Sequence, residues 1–177
     1  AKRIYQTKNM LPTIYHNIQN AAIKESVSVE NIKPYFQKVT DVDDSPDMTD
    51  VHPRDRKDMD LRFMTLNKEM FPETTRLIEN NSSITDANII AFAPQTRLYK
   101  HVDTIELEPY AEIDWFSVYM GMYVPSFDPN KVGILVGDNY YDHKETVIFD
   151  TQIPHSAWNY TDDWWVSLRL NVKKAAL

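Results

Sequence analysis

The chain has 177 residues, a net charge of −7 and no cysteine. A single domain of this length buries roughly 70% of its unfolded surface, and 42% hydrophobic with 12% aromatic residues suits a folded protein rather than a disordered one. The acidic balance removes the electrostatic case for nucleic acid or an anionic membrane, the absence of cysteine excludes disulfides, zinc–thiolate sites and Cys nucleophiles, and three glycines leave no room for a phosphate loop.

No apolar run approaches the ~20 residues needed to span a bilayer, and no signal-like segment opens the chain. The expected compartment is therefore cytoplasmic. The expected partner is a small molecule or peptide, with no nucleic acid and no membrane.

In chain order, residues 1–86 read as mostly helical support with an acidic loop, and 87–177 as a β core, together one domain. Tyr15, Ile18, Ala22 and Ile23 fall in helical spacing between Leu11 and Ile23, and Glu30 to Val39 suggests a second short helix. Residues 40 to 60 are rich in aspartate with two prolines and read as a surface loop. An acidic lid there would favour a cationic or zwitterionic partner. Leu61 to Asn80 returns to amphipathic spacing, with Pro72 starting a new helix.

From Asn88 onward the runs are β-branched and aromatic: Asn88 to Ala93, Trp115 to Val124, Val132 to Val136, Thr146 to Phe149 and Trp164 to Val172. Turn signals separate them, among them Ser126 to Asn130 and Gly137-Asp138-Asn139. This spacing predicts a β-sandwich or small barrel with the early helices packed outside it. In the last run Val166, Leu168, Leu170 and Val172 form one face, and Trp165, Ser167, Arg169 and Asn171 the other. An arginine on the second face is either half solvated or lines a polar cavity.

One constellation carries chemistry. His101 and Asp103 are two residues apart, so on an extended strand they point the same way. With His155 they make two imidazoles and a carboxylate, the ligand set that holds non-heme Fe(II) on one face and leaves the other open. Arg169 is suited to a charge-assisted grip on a co-substrate carboxylate. The bland alternative makes His155 a satisfied core residue behind Pro154 and Asp103 a turn cap. His143-Lys144-Glu145 repeats the spacing in an expected turn, and His16 and His52 fall in a helix and the acidic loop. Arg97, four residues before His101, shares its face if the strand extends that far, and could bind a substrate carboxylate or lie in solvent. Trp158, Trp164 and Trp165 either wall the pocket or fill the core. Lys100 and Asp150 read as a solvated neighbour and a turn former.

The segments Phe71 to Thr75, Ala91 to Thr96, and above all Val147-Ile148-Phe149-Asp150 running to His155-Ser156-Ala157-Trp158 resemble the aspartyl/asparaginyl β-hydroxylase family. The resemblance covers roughly Lys68 to Val172. It implies a double-stranded β-helix, a jelly-roll or cupin-like barrel of mainly β (α+β) class, and an Fe(II)- and 2-oxoglutarate-dependent dioxygenase using O₂. His101 and His155 match the family's iron-binding histidines, and Arg169 the arginine that grips 2-oxoglutarate, with Ser167 beside it. Tyr119 to Pro125 matches the strand along the co-substrate pocket, which gives Tyr119 a cofactor contact. Some members have glycine where this chain has Asp103, so the carboxylate here restores a full triad and counts against halogenation. Ser117 and Tyr119 replace an arginine and a histidine of the family, so the pocket is rebuilt on one side.

The implied reaction is hydroxylation of an unactivated C–H in an amino-acid-like substrate, free or peptidyl and of the Asp/Asn type, giving succinate and CO₂. Arg97 and Trp158 are the substrate-binding candidates. A cupin-type metal-binding barrel without oxygenase activity and a non-catalytic β-sandwich are the competing readings.

Overall fold

The computed structural model describes residues 5–6, 11–38, 59–103, 113–141 and 146–177. Most of the acidic 40–60 segment, His52, and the His143-Lys144-Glu145 triplet lie outside these residues.

Eleven strands occur among the described residues: β1 (Tyr5–Gln6), β2 (Gln37–Lys38), β3 (Leu61–Met64), β4 (Ile84–Phe92), β5 (Thr96–His101), β6 (Trp115–Tyr123), β7 (Val132–Val136), β8 (Asn139–Tyr141), β9 (Val147–Phe149), β10 (His155–Asn159) and β11 (Trp165–Lys173). They form a major sheet in the order β1-β9-β6-β11-β4-β3-β2 and a minor sheet in the order β5-β10-β7-β8. Every pairing is antiparallel. The architecture is the mainly β jelly roll expected, with helices on one outer face.

Two apolar layers hold it together. Between the sheets, Ile90, Phe92, Val147, Phe149 and Trp165 of the major sheet meet Leu98, Val132, Ile134, Val136 and Ala157 of the minor sheet, with Phe92 and Trp165 stacked at 4.4 Å. On the far side of the major sheet, Val166, Leu168, Leu170 and Val172 pack with Tyr15, Ile18, Ala22 and Phe71 from the helical segment. The strict alternation of β11 is thus used on both faces. Its apolar set meets the helices, and Trp165, Ser167 and Arg169 face the minor sheet.

The helices are α1 (Thr13–Ser26), α2 (Val29–Ile32) and α3 (Pro72–Glu79). Helix α1 buries Tyr15, Ile18, Ala22 and Ser26 as one stripe, the spacing of a single helical face. Helix α3 has Pro72 in its first turn, where a missing N–H costs nothing. Glu25 of α1 accepts the Glu73 and Thr74 amides at 2.9 and 2.7 Å, satisfying donors that a helix start leaves free.

Three local expectations change. The second helix stops at Ile32, passes through a 3₁₀ turn at Lys33–Tyr35 that contains Pro34, and gives way to β2. Leu61–Met64 is a strand between β2 and β4 rather than the start of an amphipathic helix, because a short apolar run takes the state its neighbours offer. Asn139–Tyr141, read as part of a turn, is a short edge strand closing a hairpin onto β7; Gly137 supplies the turn's positive φ of 58°. Among the described residues no helix is long and apolar enough to cross a membrane.

Candidate metal centre

His101 ends β5 and His155 begins β10, and the two are direct cross-strand partners. The register between these strands contains an irregularity. His155 pairs with His101, but Ala157, two residues on, pairs with Leu98, three residues back. The extra residue on β5 is a β-bulge, and it reverses side-chain parity between Leu98 and His101. Leu98 therefore joins the core between the sheets while His101 turns to the same side to meet His155.

The ring centroids of the two histidines are 4.3 Å apart. Asp103 lies just past the strand, its amide held at 2.9 Å by the Thr151 carbonyl in the turn before β10. Its Oδ1 is 3.4 Å from Nε2 of His101 and 3.5 Å from Nε2 of His155. One ligand atom from each residue falls within 4.8 Å of the others, which leaves room for a metal ion between them.

Both imidazoles are oriented from behind. His101 Nδ1 is 2.6 Å from the Tyr99 carbonyl and His155 Nδ1 is 2.7 Å from the Ile153 carbonyl. A carbonyl can only accept, so each Nδ1 donates, which turns the Nε2 edge of each ring toward the centre. Burial pushes the Asp103 carboxyl up, but the two imidazoles pull it down further, so it stays ionised well below the usual carboxylate range. Two imidazole nitrogens and a carboxylate oxygen on one side are the donor set that a facially bound divalent iron needs.

The turn beneath the triad is anchored by Asp150, which is 1% exposed. It accepts the Gln152 amide at 2.9 Å and the Lys174 ammonium at 3.1 Å. The turn-former expectation for Asp150 holds, with a buried ion pair added.

On the facing sheet, Arg169 is flanked in register by Tyr119 of β6 and Asn88 of β4. Its Nε donates to Asn88 Oδ1 at 2.9 Å, and its Nη2 lies 3.5 Å from Asp86. The Tyr119 ring meets Phe149 edge-on at 5.4 Å, and Phe149 meets His155 at 5.1 Å, so this row adjoins the triad. Burial raises the Tyr119 phenol to about 12; the Arg169 charge works against that rise and the Asp103 charge adds to it. Ser167, on the same face of β11, is 2% exposed, and among the described residues its hydroxyl has no partner. A buried hydroxyl left unpaired costs free energy. A carboxylate on Arg169 is an acceptor of the kind Ser167 lacks, so these residues fit a carboxylate group.

Arg97 and Trp158 are placed elsewhere. They are cross-strand partners, and Trp158 lies over Gly133 with its indole N–H donating to the Pro129 carbonyl at 2.8 Å. His155 and Ala157 point inward, so Trp158 points out, and Arg97 with it. The shared face expected for Arg97, Tyr99, His101 and Asp103 does not survive the bulge: Arg97 is exposed beside Trp158, its guanidinium over the Tyr99 ring at 4.5 Å, while His101 faces His155. Of the other tryptophans, Trp165 is core and Trp164 packs with Phe36 at 5.3 Å. His16 lies on α1, across the major sheet from the triad. Asn88 and Asp86 carry no signal in the sequence, because nothing local marks a strand polar residue as the partner of a distant arginine.

The sequence profile described as Aspartyl/Asparaginyl beta-hydroxylase matches residues 38–175, starting well before Lys68. No curated protein sequence matches significantly. Among solved structures, the non-heme alpha-ketoglutarate-dependent carbocyclase SnoK from nogalamycin biosynthesis superposes with a TM-score of 0.58 at 10% identity, covering 98% of this chain and 81% of that one. A Trichoplax adhaerens prolyl hydroxylase, in complex with a hypoxia inducible factor peptide fragment, gives 0.57 at 7% identity over 98% and 84%. A Pseudomonas putida prolyl-4-hydroxylase gives 0.56 at 10% identity over 98% and 93%. At these identities the likeness speaks for the fold.

Proposed function

This chain belongs to the aspartyl/asparaginyl β-hydroxylase family, and we propose that it is an Fe(II)- and 2-oxoglutarate-dependent dioxygenase acting on an unactivated C–H of an amino-acid-like substrate. The target is of the Asp/Asn type, free or within a peptide. The observation that carries this reading is the triad itself: two histidines with Nε2 turned to one centre and one ionised aspartate, converging within 4.8 Å. A peptide substrate is compatible with the similar Trichoplax structure, which holds a peptide fragment.

His101, Asp103 and His155 would hold the iron, and Arg169, Ser167 and Tyr119 the 2-oxoglutarate. When bound, iron, 2-oxoglutarate and O₂ supply the oxidation of the C–H, with succinate and CO₂ as products. The chain's own part is to position and to exclude water. The backbone carbonyls of Tyr99 and Ile153 accept from Nδ1 of the two imidazoles and so turn both Nε2 edges toward the iron position. Asn88 steadies the arginine. Tyr119 keeps its proton at any working pH, since burial raises it to about 12, so it serves as a neutral hydrogen-bonding group. Phe149 and the apolar residues between the sheets keep the interior dry.

The test is incubation with Fe(II), ascorbate and 2-oxoglutarate, with succinate measured directly and amino acids and short peptides screened by mass spectrometry for a one-oxygen gain that requires 2-oxoglutarate. Wild type should form succinate and Arg169→Ala should not. Absence of succinate with every substrate, together with no difference between wild type and Arg169→Ala in 2-oxoglutarate binding, would sink the reading.

A further inference from the structure

Two side chains of opposite character flank Arg169 on β4. Asn88 is its cross-strand partner and accepts from Nε at 2.9 Å. Asp86, two residues earlier and so on the same face, brings Oδ2 to 3.5 Å from Nη2. At that distance charge attraction outweighs any directed hydrogen bond. The Asp86 side chain is 60% exposed and that of Arg169 21%, which puts the carboxylate at the rim and the guanidinium inside it.

A guanidinium offers five N–H donors in a fixed plane. With Nε committed to Asn88, an incoming carboxylate is left the Nη groups, so Asn88 selects the donors and fixes the plane. Asp86 approaches one of those same groups with a negative charge of its own. It therefore opposes the arrival of a second carboxylate.

We infer that β4 tunes Arg169 in two opposite directions: Asn88 is a positioning residue that aims the guanidinium at the distal carboxylate of 2-oxoglutarate, and Asp86 is a counter-ion that loosens that grip. The inference rests on the co-substrate proposed above. Its chemical consequence concerns release, because succinate keeps the distal carboxylate and a looser arginine lets it leave.

The test is calorimetric titration of 2-oxoglutarate into Mn(II)-loaded wild type, Asn88→Leu and Asp86→Asn, in which no turnover occurs. Asn88→Leu should weaken binding roughly tenfold, the loss of a hydrogen bond to a charged group. Asp86→Asn should tighten it about threefold, as suits a partly exposed ion pair. That gain should fade at high salt, where exposed charges are screened. Titration of 2-oxobutyrate, which has the 2-oxo acid end but no distal carboxylate, should give one affinity for all three proteins. Shifts of the same sign for both variants, or equal shifts for 2-oxobutyrate, would overturn the inference. If Asn88→Leu does not fold, Asp86→Asn decides alone, and no salt-dependent gain counts against the idea. Wild type that binds neither 2-oxo acid in the presence of Mn(II) would instead bring down the co-substrate reading, and the inference with it.

Discussion

His101 and His155 face each other across β5 and β10 with ring centroids 4.3 Å apart, and they do so because β5 carries one residue more than β10 between the Leu98–Ala157 pair and the histidine pair. Without the bulge, a strand that buries Leu98 would turn its residue 101 to the outer face. The bulge reconciles a packed core with an inward-facing ligand.

The triad predicts a metal dependence that can be read without substrate. His155→Ala and Asp103→Ala should each weaken Mn(II) or Fe(II) binding by more than the roughly 10–100-fold that loss of an outer partner costs. His16→Ala, on α1 across the major sheet, should bind as wild type does. Equal metal binding by wild type and His155→Ala in a direct titration would remove the triad as a site.

The ion pair beneath the centre should link stability to metal affinity. Lys174→Met leaves Asp150, 1% exposed, as a buried charge without its cation, a change that costs about 3 kcal/mol. The same turn supplies the Thr151 carbonyl that holds the Asp103 amide, so metal affinity should fall as well. Urea unfolding and metal titration of this variant test both halves. A stable variant with full affinity would show that the pair does not hold the turn.

The two faces of the minor sheet should be separable by mutation. A Cβ at Gly133 would stand 2.6 Å from Cζ2 of Trp158, so Gly133→Ala must displace the indole, at a cost of about 1–3 kcal/mol. Trp158 and Arg97 lie on the outer face, so Gly133→Ala and Arg97→Ala should leave metal affinity within about twofold of wild type, the ±0.5 kcal/mol of a remote change. A loss as large as that of Asp103→Ala would show the faces to be coupled.

Tyr119 predicts a pH dependence with a definite sign. Its phenol is raised from 10.0 to about 12 by burial. Between those values the unfolded chain has released the proton and the folded chain still holds it, so folding binds protons and stability falls as pH rises. The contribution is fully present below 10 and is lost on the way to 12. Tyr119→Phe has no such proton, so the stability difference between wild type and variant should shrink across this window in urea unfolding at stepped pH. A constant difference would mean that the phenol is not held neutral.

Much of this protein was open to reading from residue order alone. The alternation of Val166, Leu168, Leu170 and Val172 against Trp165, Ser167 and Arg169 is a local property of an extended chain, and it put the arginine on the face that turns away from the helices. The spacing of His101 and Asp103 and the strand start at His155 pointed to a triad, although β5 ends at His101 and Asp103 is placed by its bond to the Thr151 carbonyl. Helix α1 announced itself by one buried stripe.

Tertiary structure decided what depends on a partner strand. Leu61–Met64 became a strand because β4 offered it a ladder. Arg97 left the face of His101 because β5 gained a residue relative to β10, and Asn88 became the seat of Arg169 because β4 and β11 met in that register. A bulge adds no mark to the periodicity of its own strand. Register is a relation between segments far apart in the chain, fixed by which apolar sets can be buried together, so side-chain parity beyond a bulge and the neighbours of a buried charge exist only once the sheets have closed.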